Sequence, residues 1–306
     1  MIFSSIKTGF ARMLANKRMV GTYFIANLVF GVILMLPFRA VIKNFAGNSL
    51  MGTSLAGHLN MDFVFDLLAH KRDLFSVMGT MILVVPVVYW LVNIFLSGGA
   101  FVVFASEGKY DKQQFWGGAS AYFGRFLRLG LYSLLVFALF FAVQFLETLI
   151  MKIFFHSDAP QNISYWGGWV KFALRSLGLL LYGVVFDYAR IMIVLKDERK
   201  IFKTLWRGVK FTFRNFGNVF SLAFVLFVIG AVVLVIYNPI ANVLAAPNAL
   251  VVFALFLLQQ VYMFFRMGLR LTLFASEVTL LGKLEATSMQ DVQTSNSDFG
   301  LEGAPA

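Results

Sequence analysis

Between Asn218 and Tyr237 the chain reads NVFSLAFVLFVIGAVVLVIY, twenty positions without a charged side chain. A helix that is apolar on every side has few places to go in a soluble domain. In a bilayer, twenty residues rising about 1.5 Å each cross the ~30 Å hydrocarbon layer. Five further stretches are predominantly apolar, 19–36, 77–106, 129–151, 168–195 and 249–267, and the last three carry charged residues. Composition agrees, with 59% apolar and 13% charged residues, against roughly 45–50% and 25% in soluble domains. The sequence therefore predicts an all-α polytopic membrane protein with six transmembrane helices. Residues 1–37 do not fit a signal peptide, because the charged leader is too long and no small-residue cleavage pattern follows.

The formal charge of +11 has a topological reading. Nineteen Lys and Arg flank the spans on the side of both termini and seven on the other. The positive-inside rule then places both termini in the cytoplasm. This placement favours anionic lipid over nucleic acid as the partner of the basic residues. With no Cys, thiolate metal sites and Cys nucleophiles are excluded.

Basic amphipathic segments precede three of the spans. Residues 2–18 repeat Ile2, Ile6, Phe10, Met13 and Leu14 at helical spacing, and residues 111–128 repeat Phe115, Ala119, Tyr122, Phe123, Phe126 and Leu127. The third sets Phe202, Leu205, Trp206, Val209 and Phe213 against Lys203, Arg207, Lys210 and Arg214. Helices of this kind lie in the membrane interface. They also align with one another. Displaced by 90 positions, Trp206 falls on Trp116, Gly208 on Gly118, Phe213 on Phe123 and Phe216 on Phe126. Gly9 and Asn16 align with Gly208 and Asn215, and Phe274-Ala275-Ser276-Glu277 repeats Phe104-Ala105-Ser106-Glu107. We read three tandem modules, about 1–107, 108–197 and 198–277, each an in-plane helix followed by two spans. Together they form one transmembrane domain, 1–284, and 285–306 reads as a disordered acidic tail.

Two quoted stretches carry a resemblance: Phe115-Trp116-Gly117-Gly118 with Phe123 and Phe126, and Leu205-Trp206-Arg207-Gly208 with Phe213 and Phe216. They resemble uncharacterised bacterial polytopic membrane-protein families, including ones similar to the membrane domain fused to some glycerophosphodiester phosphodiesterases. The resemblance implies a bacterial inner-membrane setting and no activity.

Ionisable residues inside spans are costly, so they mark functional candidates. Glu147 and Arg175 are placed to form an interhelical ion pair. Asp187, Arg190, Arg266 and Arg270 are placed to form a polar layer able to hold an anion or a lipid headgroup. Asn27, Asn93, Gln144, Gln259 and Gln260 are expected to bond between helices. No two glycines are spaced i,i+4, so close GxxxG packing is not predicted. His58, Asp62, Asp66 and His70 step by four, a pattern better explained by ordinary i,i+4 pairing than by a metal. Gly52-Thr53-Ser54-Leu55-Ala56 falls short of a nucleophile elbow. The sequence thus predicts no catalytic residue, metal or cofactor. The leading expectation is a non-enzymatic protein that organises anionic lipid, or a protein partner, through its basic-aromatic cytoplasmic belt at Lys203, Arg207, Lys210 and Arg214. The alternative is a transporter or channel for a small anion or lipid through the polar layer.

Overall fold

Eight helices and no strand make up the described residues of the computed structural model, which are 1–46, 72–106, 109–155, 161–243 and 248–301. In chain order they are α1 (Ile2–Ala15), α2 (Lys17–Ala46), α3 (Arg72–Ala105), α4 (Lys112–Phe155), α5 (Gln161–Leu195), α6 (Ile201–Arg214), α7 (Phe216–Val243) and α8 (Ala249–Leu301). Six of them, α2 to α5 together with α7 and α8, are long and apolar enough to cross a membrane. Apolar residues such as Leu83, Leu135, Val235 and Leu250 stand exposed along them.

The junctions follow particular residues. Asn16 separates α1 from α2, and its carbonyl accepts from Met19 N at 2.9 Å. Asn215 separates α6 from α7 and accepts from Asn218 N at 3.1 Å. Asn competes with the helical backbone and tolerates its ends. At the corresponding position of the middle segment stands Arg125, a good helix former, and α4 continues through it from Lys112 to Phe155. The separate in-plane helix and span read at 111–128 and 129–151 are thus a single helix. Pro37 and Pro239 lie inside α2 and α7, where the sequence pattern ends a span at each. A proline deletes one i→i−4 bond but does not forbid continuation. Residues 285–301, which lack periodicity in the sequence, continue α8. The histidines, the 52–56 stretch and the steps at 62 and 66 lie outside the described residues.

The chain divides into two compact units. The first comprises residues 1–15, 98–226 and 272–306, the second residues 16–97 and 227–271. In the first unit the core is aromatic: Phe101, Phe104, Phe115, Phe126, Tyr188 and Phe274 are fully buried. Phe101 lies 4.5 Å from Phe274 and 6.2 Å from Phe126, centroid to centroid, within the range that favours aromatic pairs. The second unit closes through Tyr23, Ile94 and Met267. Asn27 ties its helices, taking a bond from Tyr89 at 3.0 Å and approaching the Met267 sulfur at 3.2 Å.

Close helix approach does occur, although no GxxxG is present. A Cβ on Gly9 would stand 2.7 Å from Ser276 N, one on Gly99 2.5 Å from Phe115 O, and one on Gly118 2.8 Å from Val102 Cβ. On Gly208 it would stand 3.2 Å from Ala189 Cβ. Single glycines set in rows of small residues do the work of the motif. Ser5 and Gly9 are buried on α1, and Thr204, Gly208 and Thr212 on α6. Spacing by four places each row on one helix face.

Candidate functional site: a basic-aromatic belt and a buried charge cluster

Helix α6 is strongly amphipathic, yet the face it buries is its small-residue face. Ile201, Thr204, Gly208 and Thr212 pack inward, and the Tyr188 ring of α5 meets Phe211 at 5.1 Å. Phe202, Trp206 and Phe213 face away from the protein, 68%, 67% and 59% exposed. Lys203, Arg207, Lys210 and Arg214 are exposed on the same helix. Of these four, Arg207 pairs with Glu198, whose other oxygen accepts from Thr204 Oγ1 at 2.7 Å. Helix α1 repeats the arrangement, with Ser5, Gly9 and Met13 buried and Phe3, Phe10 and Leu14 exposed. On α4, Trp116 is exposed beside buried Phe115 and Ala119.

Around the start of α6 the acids are already engaged. Asp197 pairs with Arg125 and also accepts from Tyr122 at 3.4 Å. The hydrogen bond and positive charge of Arg125 hold the Asp197 carboxyl below its ordinary value. Asp197 has φ of 44°, the left-handed conformation that closes many helices and that Asp adopts more readily than most residues. Lys196 binds Glu285 at 2.8 Å. Beside these pairs, Arg128, Tyr132, Arg199, Lys200, Phe202 and Lys203 line an open cavity of about 400 Å³.

The second feature is buried. Arg190 Nη1 donates to Asp187 Oδ1 at 2.7 Å, with both side chains mostly enclosed. Glu277 is completely buried. Neither of its carboxylate oxygens has a hydrogen-bond partner among the described residues, nor has the Tyr188 hydroxyl or Arg190 Nε. Asp187 and Arg190 are the charged groups acting on Glu277. Arg266 and Arg270 belong to the second unit. There Arg270 donates to Asn93 Oδ1 at 2.9 Å and lies over the Tyr23 ring at 5.9 Å, and Arg266 is exposed. Arg175 is exposed on α5, and the side chain of Glu147 lies outside the described residues.

Sequence reading missed Glu277 as a buried charge and missed Arg128, Arg199 and Lys200 as a group. Glu277 carried a usable signal: Phe274 and Leu281, three before and four after, are apolar and share its face. The groove residues carried none, since they come from α4 and from the segment before α6. Comparison with family models, with curated protein sequences and with solved structures returns no match.

Proposed function

We propose that the chain is a multi-pass protein of the cell membrane, in a bacterial inner-membrane setting, that gathers anionic lipid through a cytoplasmic basic-aromatic belt without catalysing a reaction. The observation that carries this reading is the orientation of α6. Its large aromatic side chains point away from the protein beside exposed Lys203, Lys210 and Arg214, while Arg207 pairs with Glu198. A ring taken out of water contributes about 2 kcal/mol, and each basic residue near an anionic surface about 1 kcal/mol. The two contributions are comparable, so added salt weakens such anchoring without abolishing it. The outward Phe3, Phe10 and Trp116 extend the same logic to α1 and α4. A protein partner docking on the same belt is the other occupant this surface fits.

The three-module organisation, with both termini cytoplasmic, belongs to the same proposal. In its support, Gly9, Gly118 and Gly208 share a register position and each lies against another helix. Gly9 meets α8, Gly118 meets α3 and Gly208 meets α5. Under the modular reading, every in-plane segment packs on a helix that closes a module.

The test replaces Lys203, Arg207, Lys210 and Arg214 together with Glu, in the full chain reconstituted with mixed anionic and zwitterionic lipid. Wild type should hold anionic lipid in excess of the bulk ratio, and the quadruple variant should lose that excess. An unchanged excess in the variant would sink the proposal.

A second reading, transport of a small anion or lipid, is favoured by one observation at the Asp187–Arg190 pair. Among the described residues, Glu277 is a buried carboxyl group without a hydrogen-bond partner, and Asp187 and Arg190 act on it. Intramembrane ionisable residues of this kind recur along conduction and proton paths. Flux of phosphate or chloride into proteoliposomes, abolished by Asp187→Asn in protein whose helical circular dichroism is unchanged, would support it.

A further inference from the structure

The open groove at the start of α6 has a charge problem that the protein itself does not solve. Four cationic side chains, Arg128, Arg199, Lys200 and Lys203, line one cavity. None of them is within salt-bridge distance of an acid among the described residues: Asp197, Glu198 and Glu285 pair with Arg125, Arg207 and Lys196, and Arg199 acts on Asp197 only through its charge. Like charges gathered this closely repel one another, and a bound anion relieves all four at once.

Two further features give the groove its polarity. It sits at the first turn of a fourteen-residue helix whose N-cap, Lys200, offers no capping side chain. The first bond of that turn is Thr204 N to Lys200 O at 3.1 Å. A helix start of this kind presents backbone N–H groups and the positive end of the helix dipole. Among the same lining residues Tyr132 and Phe202 meet edge to face at 6.2 Å, and both rings are exposed. The site thus mixes cationic and aromatic side chains. A bare anion uses only the cations; a phosphate ester carrying an apolar substituent uses both.

We propose that this groove binds a phosphate group, held by Arg128, Arg199, Lys200 and Lys203 and supplied at the membrane interface by an anionic phospholipid headgroup. The inference rests on the reading of α6 as an interfacial helix and deepens it from a diffuse belt to a defined site. Guanidinium groups suit phosphate because their paired donors match two of its oxygens, while Lys adds point charge.

The experiment uses the full chain in nanodiscs of phosphatidylcholine containing a minor share of phosphatidylglycerol, with bound lipid read by native mass spectrometry. One variant carries Arg128→Gln and Lys200→Gln. A control carries Lys210→Gln and Arg214→Gln, the same loss of charge on exposed positions outside the groove. The groove variant should retain phosphatidylglycerol about tenfold more weakly than the control. Equal losses in the two variants would overturn the defined site while leaving the belt intact. No preference for phosphatidylglycerol in wild type would overturn both. Inorganic phosphate supplies the remaining arm. If it displaces the lipid, with the same dependence on Arg128 and Lys200, the phosphate site stands and its source is the free anion. If it does not displace a groove-dependent lipid, the headgroup is the source.

Discussion

Gly9 of α1 meets Ser276 of α8 at a separation that no side chain can enter: a Cβ on Gly9 would stand 2.1 Å from the serine oxygen and 2.7 Å from its backbone nitrogen. Rotating the Ser276 side chain would relieve the first clash but not the second. Gly9→Ala must therefore move backbone, and we expect a loss of about 1–3 kcal/mol in unfolding free energy. At Gly208 the equivalent Cβ reaches only 3.2 Å from the Ala189 side chain, so Gly208→Ala should cost less. Reversible unfolding of the purified chain in mixed micelles would compare the two, and a larger loss at Gly208 would contradict this packing.

Of the buried ionisable groups, Asp187 is ion-paired with Arg190, whereas Glu277 has no hydrogen-bond partner among the described residues. Asp187→Asn leaves Arg190 enclosed without its carboxylate, and removing one partner of such a pair costs roughly 3 kcal/mol or more. Glu277→Gln removes a carboxyl group that has no hydrogen-bond partner among the described residues, so its stability should equal or exceed that of wild type. Equal destabilisation by the two variants would show that Glu277 is held by interactions of its own.

Asp197 gives a pH signature. Its folded carboxyl titrates below the ordinary value of 3.8 because Arg125 favours the charged form. The stabilisation from that contact is therefore complete above the unfolded carboxyl's range and is lost as pH falls through the lower folded value. Asp197→Asn keeps a residue that tolerates φ of 44° and removes the charge. The gap in unfolding midpoint between wild type and this variant should stay level from neutral pH to about pH 5, then close in more acidic buffer. A gap that widens on acidification would refute the assignment.

What could be read in advance follows from what periodicity encodes. Asn16 and Asn215 mark both helix breaks, and Arg125 in the matching place lets α4 run on. The six apolar runs became six helices of sufficient length. That α6 packs through the small row Thr204, Gly208 and Thr212 was not legible. In a soluble protein Phe202, Trp206 and Phe213 would be the inner face. Beside a membrane span an apolar side chain has two possible solvents, and the small row Thr204, Gly208 and Thr212 allows closer helix contact. The cavity near Arg128 was equally hidden, because its walls meet only after α4 and the start of α6 have packed together.

The outward face of α6 is the central claim, and Trp206 reports on it directly. In a full chain whose other four Trp residues are replaced by Phe, quenching of Trp206 fluorescence by brominated phospholipids measures its depth. The structure's exposed ring beside basic neighbours predicts strong quenching by bromine placed close to the headgroup and weaker quenching by bromine near the chain end. Quenching by an aqueous quencher alone, with no response to either brominated lipid, would contradict the account.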